Sequence, residues 1–176
     1  MEINKQRREL INNSICSFCG LSLSLLVSTK PSLASDSLNR KANLIVVWKS
    51  KRKMSLFHNK TLIKTYNIRL GFDPIGHKRE EGDGKTPEGR YFISHHNPKS
   101  SYHLSLGINY PNKTDISKAK RRGVDPGGDI FIHGGPKNML THFFKDWTGG
   151  CIAVYDHEIE EIYQLVPDGT VIYIYK

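Results

Sequence analysis

The sequence predicts a mainly β domain, a β-sandwich of mixed sheets with a few short helices. Two observations favour strands. Short β-branched and aromatic runs bounded by Gly, Pro and Asn recur along the chain, as in Leu44-Ile-Val-Val-Trp48 and Val171-Ile-Tyr-Ile-Tyr175. Tyr102, Leu104, Leu106, Ile108 and Tyr110 alternate with His103, Ser105, Gly107 and Asn109, the period-two pattern of a half-buried strand. A third observation argues against a strand–helix–strand repeat. The one clear helical period falls late, at Ile159, Ile162, Tyr163 and Val166.

The elements follow in order. Residues 44–48 read as a buried strand and Met54–Phe57 as a second. Asn59-Lys60 turns into a strand over 62–70. Residues 71–90 hold five glycines with Pro74 and Pro87, and form a long loop. Tyr91-Phe92-Ile93 restarts a strand, and residues 102–110 supply the alternating one. Residues 115–122 make a short basic helix ending at Gly123, and Asp129–His133 make a strand with Ile130 and Ile132 on one face. Asp156 is placed to cap the late helix, and Pro167-Asp168-Gly169 turns the chain into a final strand, Val171–Tyr175.

A chain of 176 residues is the size of one compact domain. At 38% hydrophobic and 24% charged residues it is lean but far from the composition of a disordered chain. No apolar run reaches the roughly 18–20 residues of a membrane-spanning helix, which excludes a polytopic membrane protein. The net charge of +9 favours polyanionic partners. Nucleic acid is not among the expected ones, because no aromatic residues interleave with the basic run Lys118-Ala-Lys-Arg-Arg122. That run reads as a solvated helix face.

Residues 1–34 have the order of a secretory leader. Lys5, Arg7 and Arg8 precede an uncharged apolar stretch over 15–27, and Ser32-Leu33-Ala34 offers small residues for cleavage. The expected organisation is a leader over 1–34, a short segment over 35–41 and a domain over 42–176, exported to the periplasm or cell wall. Cleavage would remove four basic and two acidic residues, leaving +7, and would remove Cys16 and Cys19. Cys151 is then a lone thiol in an oxidising compartment, so it is either buried and inert or present for chemistry.

His133 and Cys151 are the pair that could do chemistry. His133 ends a strand before Gly134-Gly135, and Cys151 follows Gly149-Gly150 before Ile152-Ala153-Val154. An imidazole near a thiol can take its proton and hold the two as an ion pair. Glycines before a nucleophile let backbone N–H groups converge on one point, as an oxyanion requires. The competing reading is a structural cysteine and a surface histidine. His103, Asp146, Trp147 and Thr148 are candidates for the substrate wall. Gly84-Lys85-Thr86 imitates the end of a phosphate-binding loop, but Arg79 stands where its first glycine belongs. His95 and His96 are adjacent, so on a strand they face opposite ways and make a poor metal pair. No metal site is expected.

Several ordered motifs together resemble the L,D-transpeptidase catalytic domain (YkuD-like) family. They are Asp129-Ile-Phe-Ile-His-Gly134, Asp146-Trp-Thr-Gly-Gly-Cys-Ile-Ala-Val154, Gly82-Asp-Gly-Lys-Thr-Pro-Glu-Gly89, Asn109-Tyr-Pro-Asn112 and Gly169-Thr-Val-Ile-Tyr173. The resemblance covers residues 42–176 and is to the branch with Asp-Trp-Thr-x-Gly-Cys. It implies a β-sandwich and cysteine acyl transfer on peptidoglycan stem peptides, without a metal or organic cofactor. On that basis Cys151 is the nucleophile and His133 the base and later the acid. Backbone N–H groups around Gly150 and Cys151 would hold the oxyanion, and the Gly134 carbonyl would orient His133. The family's usual Ser/Thr-His-Gly-Cys reads Thr148-Gly149-Gly150-Cys151 here, with Gly149 in place of a second histidine. That departure keeps open hydrolysis in place of transfer, and a non-catalytic wall-binding module of the same fold.

Overall fold

The computed structural model describes residues 40–136 and 145–176. The leader expected over 1–34, with Cys16 and Cys19, lies outside the described residues. Among the described residues eight strands and two helices follow in order. They are β1 (Leu44–Trp48), β2 (Lys53–His58), β3 (Thr61–Asn67), β4 (Gly89–Ser100), β5 (His103–Ile108), α1 (Lys113–Arg122), β6 (Phe131–His133), β7 (Ile152–Ala153), α2 (Asp156–Leu165) and β8 (Val171–Tyr175).

The strands form one mixed sheet in the order β3-β2-β1-β8-β4-β5-β6-β7. β1–β8 and β6–β7 are parallel pairs and the other neighbours are antiparallel. The sheet curls because β4 serves two halves. Gly89–Phe92 pair with β8, and residues from Ile93 onward pair with β5, with a register shift between Ile93 and His95. A bulge of this kind bends a strand and raises its twist. Beyond β3, bridges Arg69↔Ala153 and Gly71↔Thr148 bring the chain against the far end of the same sheet. The two halves therefore face each other, as in a sandwich, while remaining continuous through β4.

β4 is where the sequence-based reading differs most. The sequence marks a strand of three residues at 91–93, and twelve residues are extended. The second half, Ser94-His-His-Asn-Pro-Lys-Ser100, has no apolar alternation to reveal it. It is held by backbone pairing to β5 and not by burial of its side chains. β3 is shorter than expected and ends at Asn67. β5 starts at His103, so Tyr102 falls in the turn before it.

The core lies between the sheet halves and under α2. Ile45, Val47, Met54, Leu56, Leu70, Ile93, Leu106, Ile132, Ile152, Ile159, Ile162 and Ile172 are fully buried. Each such side chain contributes about 1.5–3 kcal/mol by removal from water. α1 starts two residues before its expected start. Asn112 accepts from the N–H groups of Thr114 and Asp115, and Asp115 accepts from that of Asn112, a reciprocal cap worth about 1 kcal/mol. Gly123 ends α1 in the left-handed region, with φ 72°. At α2 the N-cap is Tyr155, not Asp156 as expected, and the Glu158 carboxylate accepts from the Tyr155 N–H. The Asp156 carboxylate is engaged elsewhere, on Gly135 N–H at 2.7 Å.

The loop between β3 and β4 is organised around two buried lysines. Lys49 of β1's end donates to the carbonyls of Gly76 and Thr86 and pairs with Glu88 at 3.0 Å. Burial lowers its pKa, opposed by Glu88. Lys78 pairs with Asp83 at 2.8 Å, and Asp83 also accepts from the N–H groups of Arg79, Glu80 and Lys85. Gly84-Lys85-Thr86 belongs to this framework. Lys85 pairs with Asp73, and buried Thr86 accepts from Gly71 N–H.

Candidate active site

The site is built on the face of β4, β5, β6 and β7 opposite the core. Leu106, Ile132 and Ile152 face inward, so their neighbours in sequence face outward. Register then sets two rows across the strands. Asn97, Ser105, His133 and Ala153 share one, and His95, Gly107 and Phe131 share the next. Cys151, one residue before β7, falls at the end of the second row beside Phe131. The Phe131 N–H donates to its Sγ at 3.4 Å. His133 and Cys151 are thus diagonal neighbours on one face, and both line one cavity of about 270 Å³. Asn97, Ser100, Ser101, Tyr102, Ser105, Asp129 and Phe131 complete its lining.

The glycines of the nucleophile turn differ in role. Gly150 has φ 136°, and a Cβ there would meet the Lys85 carbonyl oxygen at 2.7 Å, so the turn packs against the β3–β4 loop. Gly149 is exposed, with open space where a side chain would go. Thr148 is buried. Its hydroxyl donates to the Cys151 carbonyl at 2.8 Å and accepts from Gly150 N–H at 3.1 Å. Of the backbone groups expected around the oxyanion, the Gly150 N–H is bonded to Thr148, and the Thr148 hydroxyl is turned to the Cys151 carbonyl. Both groups close the turn on itself.

His133 is 4% exposed. Its Nδ1 lies 2.6 Å from the Gly134 carbonyl, which can only accept, so Nδ1 carries the proton and Nε2 is the basic nitrogen. Gly134 is fixed in turn by its N–H to the Tyr102 carbonyl, and a Cβ on Gly134 would strike the Asp156 carboxylate at 2.4 Å. The imidazole packs in a three-ring cluster, 4.5 Å from Tyr102 and 5.6 Å from Trp147 between centroids, with those two rings 5.7 Å apart. Burial lowers the His133 pKa, opposed by the bond to Gly134. Burial raises the Cys151 pKa, opposed by the Phe131 N–H, while the Asp129 carboxylate raises it further. The thiol donates to the Asp129 carbonyl at 3.4 Å. Both directions favour the neutral thiol and the neutral imidazole over an ion pair. Such a pair can act by general base catalysis, with the thiol losing its proton as it attacks.

The remaining candidates scatter. Trp147 stands against His133. Asp146 points into the framework, with Arg52 at 2.7 Å and Leu70 N–H at 3.0 Å, and is no part of the cavity wall. His103 pairs with Glu160 at 2.7 Å, away from the cavity lining. His95 packs edge-on against Phe131, while His96 bonds Asp168 and the Tyr163 carbonyl, so the two histidines diverge as expected. Sequence reasoning missed Tyr102, Asp129, Asn97 and Ser105. Tyr102 fits the inward-facing alternation of its strand, and nothing local shows that it lies in the turn. Among the described residues no helix is long and apolar enough to cross a membrane.

One curled sheet thus presents a cysteine and a tautomer-fixed histidine on the same face. The chain belongs to the L,D-transpeptidase catalytic domain (YkuD) family, which matches residues 42–174. A curated relative, "Putative L,D-transpeptidase YafK" of Escherichia coli K12, is 28% identical over 133 residues, 72% of this chain and 48% of the relative. The chain thus spans about half the length of the curated relatives it matches. Among solved structures, Bd1075 of Bdellovibrio bacteriovorus has a TM-score of 0.57 at 27% identity, covering 77% of this chain and 48% of that one. The helical cell shape determining protein Pgp2 of Campylobacter jejuni has a TM-score of 0.58 at 23% identity, covering 77% and 48%. An L,D-transpeptidase from Mycobacterium smegmatis has 0.53 at 12%, covering 77% and 59%, a likeness of fold alone.

Proposed function

We propose that this protein is an exported cysteine acyltransferase that acts on peptidoglycan stem peptides as an L,D-transpeptidase. The observation that carries the reading is the diagonal placement of His133 and Cys151 in one cavity, with the His133 tautomer set by Gly134. Family membership supports the substrate class.

In this mechanism the Cys151 sulfur attacks the carbonyl carbon at the L-centre of a diamino-acid residue, and its proton passes to His133 Nε2. The Phe131 N–H stabilises the charge that builds on sulfur. The Cys151 N–H faces the oxyanion of the tetrahedral adduct, since that of Gly150 is committed to Thr148. The adduct collapses as the C–N bond breaks, and the imidazolium returns its proton to the departing amine. An acceptor amine then attacks the thioester, His133 takes its proton, and the sulfur leaves and is reprotonated. Water in place of the amine gives hydrolysis. Gly149, two residues before Cys151, is exposed, and among the described residues nothing fills the space where a side chain would stand.

The test uses the full chain and Cys151→Ala with defined tetrapeptide, cross-linked and protein-linked muropeptides, read by mass spectrometry. Cross-linked or amine-exchanged products that require Cys151 support the transpeptidase. Water incorporation alone makes it a hydrolase. No product, with muropeptide binding intact, makes it a binding module of the same fold.

A further inference from the structure

A carboxylate stands beside the nucleophile. In a chain of net +9, the one acidic side chain among the described residues that line the Cys151 cavity is Asp129. Asp129 also lines the adjoining groove of about 670 Å³, with Phe92, Asn109, Lys113, Ile116 and Phe131, so it stands where the two spaces meet. It is exposed, and no ion pair among the described residues includes it. Its backbone is in the left-handed region, with φ 54°, and its carbonyl accepts the thiol proton. A negative charge beside a thiol disfavours thiolate, so this carboxylate does not activate Cys151. A cation that arrives with the substrate would both satisfy it and remove that opposition.

We propose that Asp129 is a specificity-determining residue that binds a primary ammonium group of the substrate at the junction of cavity and groove. The inference rests on the acyl-transfer reading above. The ammonium can come from the side chain of the donor's diamino-acid residue or from the acceptor, and the two sources are separable. The same carboxylate repels a free peptide carboxylate at that position, so it selects by sign as well as by contact.

Binding tests this apart from turnover. Full-length Cys151→Ala and the double variant Cys151→Ala/Asp129→Asn are titrated by calorimetry. One ligand is a tetrapeptide bearing the free ammonium of its diamino acid, and the other is its N-acetylated form. Asparagine keeps the size of the side chain and tolerates positive φ. The expected result is about a tenfold loss of affinity in the double variant for the free ammonium peptide and less than a twofold change for the acetylated one. Equal changes for both ligands, or none for either, overturn the proposal. In parallel, Asp129→Asn with Cys151 intact is followed by mass spectrometry. Slower formation of the Cys151 acyl-enzyme assigns the ammonium to the donor. Unchanged acylation with less product at low acceptor concentration assigns it to the acceptor. If the wild-type chain forms no acyl-enzyme on any stem peptide, the acyl-transfer reading fails, while the titrations still decide whether Asp129 recognises ammonium.

Discussion

The Tyr102 ring covers the His133 imidazole, with centroids 4.5 Å apart and planes inclined by 31°. The backbone repeats the relationship, because the Tyr102 carbonyl accepts the N–H of Gly134, whose own carbonyl holds His133 Nδ1. One turn before β5 therefore sets both the burial and the tautomer of the base. Replacing Tyr102 by alanine should expose the imidazole and move its pKa back up toward about 6.5, so the acid limb of kcat/KM shifts to higher pH. Tyr102→Phe should keep the wild-type limb. A stability loss of about 1 kcal/mol for the alanine variant is expected from the lost stack. The check is a pH–rate profile of both variants beside thermal unfolding.

The two pKa directions at the site predict a broad pH range for the wild type. Burial holds His133 below its usual value, so the neutral base persists below about pH 6.5. Burial and Asp129 hold the Cys151 thiol above its usual value. Alkylation of Cys151 by iodoacetamide in the free protein should therefore rise steadily with pH, without the low-pH plateau of a thiolate–imidazolium pair. A plateau between pH 5 and 7 would overturn the neutral-pair assignment.

The two glycines before the nucleophile should respond in opposite ways. Gly150→Ala forces a Cβ against the Lys85 carbonyl and strains a backbone at φ 136°. A loss of about 2–3 kcal/mol and of most activity is expected. Gly149→Ala and Gly149→His meet open space, and stability should stay within about 0.5 kcal/mol of wild type. Urea unfolding of the three variants separates these outcomes.

Asp83 should be the weak point of the β3–β4 loop. Burial raises its pKa, but the Lys78 ion pair and the N–H groups of Arg79, Lys85 and Glu80 outweigh this and hold it below the usual carboxylate value. Its contribution is present above the unfolded pKa of about 3.9 and is lost as pH falls through the lower folded value. Asp83→Asn leaves Lys78, 3% exposed, without its counter-charge, and should cost about 3 kcal/mol. Denaturant melts at pH 7 and in the acid range check both the size and the sign.

Much of this protein is legible from its residues in order. Strand runs such as 44–48 and 171–175, the helix marked by Ile159 and Ile162, and the Cys151 and His133 motifs are local signals. Periodicity and residue chemistry are properties of neighbours along the chain. Other features depend on distant segments and carry no local mark. The polar half of β4 is a strand because β5 pairs with it, not because its side chains alternate. Tyr102 leaves its strand for the turn and meets His133 across thirty-one residues of sequence. Thr148 and Asp146 look like site residues in the motif, yet one closes its own turn and the other pairs with Arg52, ninety-four residues away. The pKa directions of the thiol and imidazole are likewise tertiary, since they follow from burial, which only the packed fold imposes. The sequence by itself determined which residues could do chemistry and the type of chain that carries them. The tertiary structure decided their register, their protonation and the company they keep, because those depend on contacts between parts of the chain that meet only after folding.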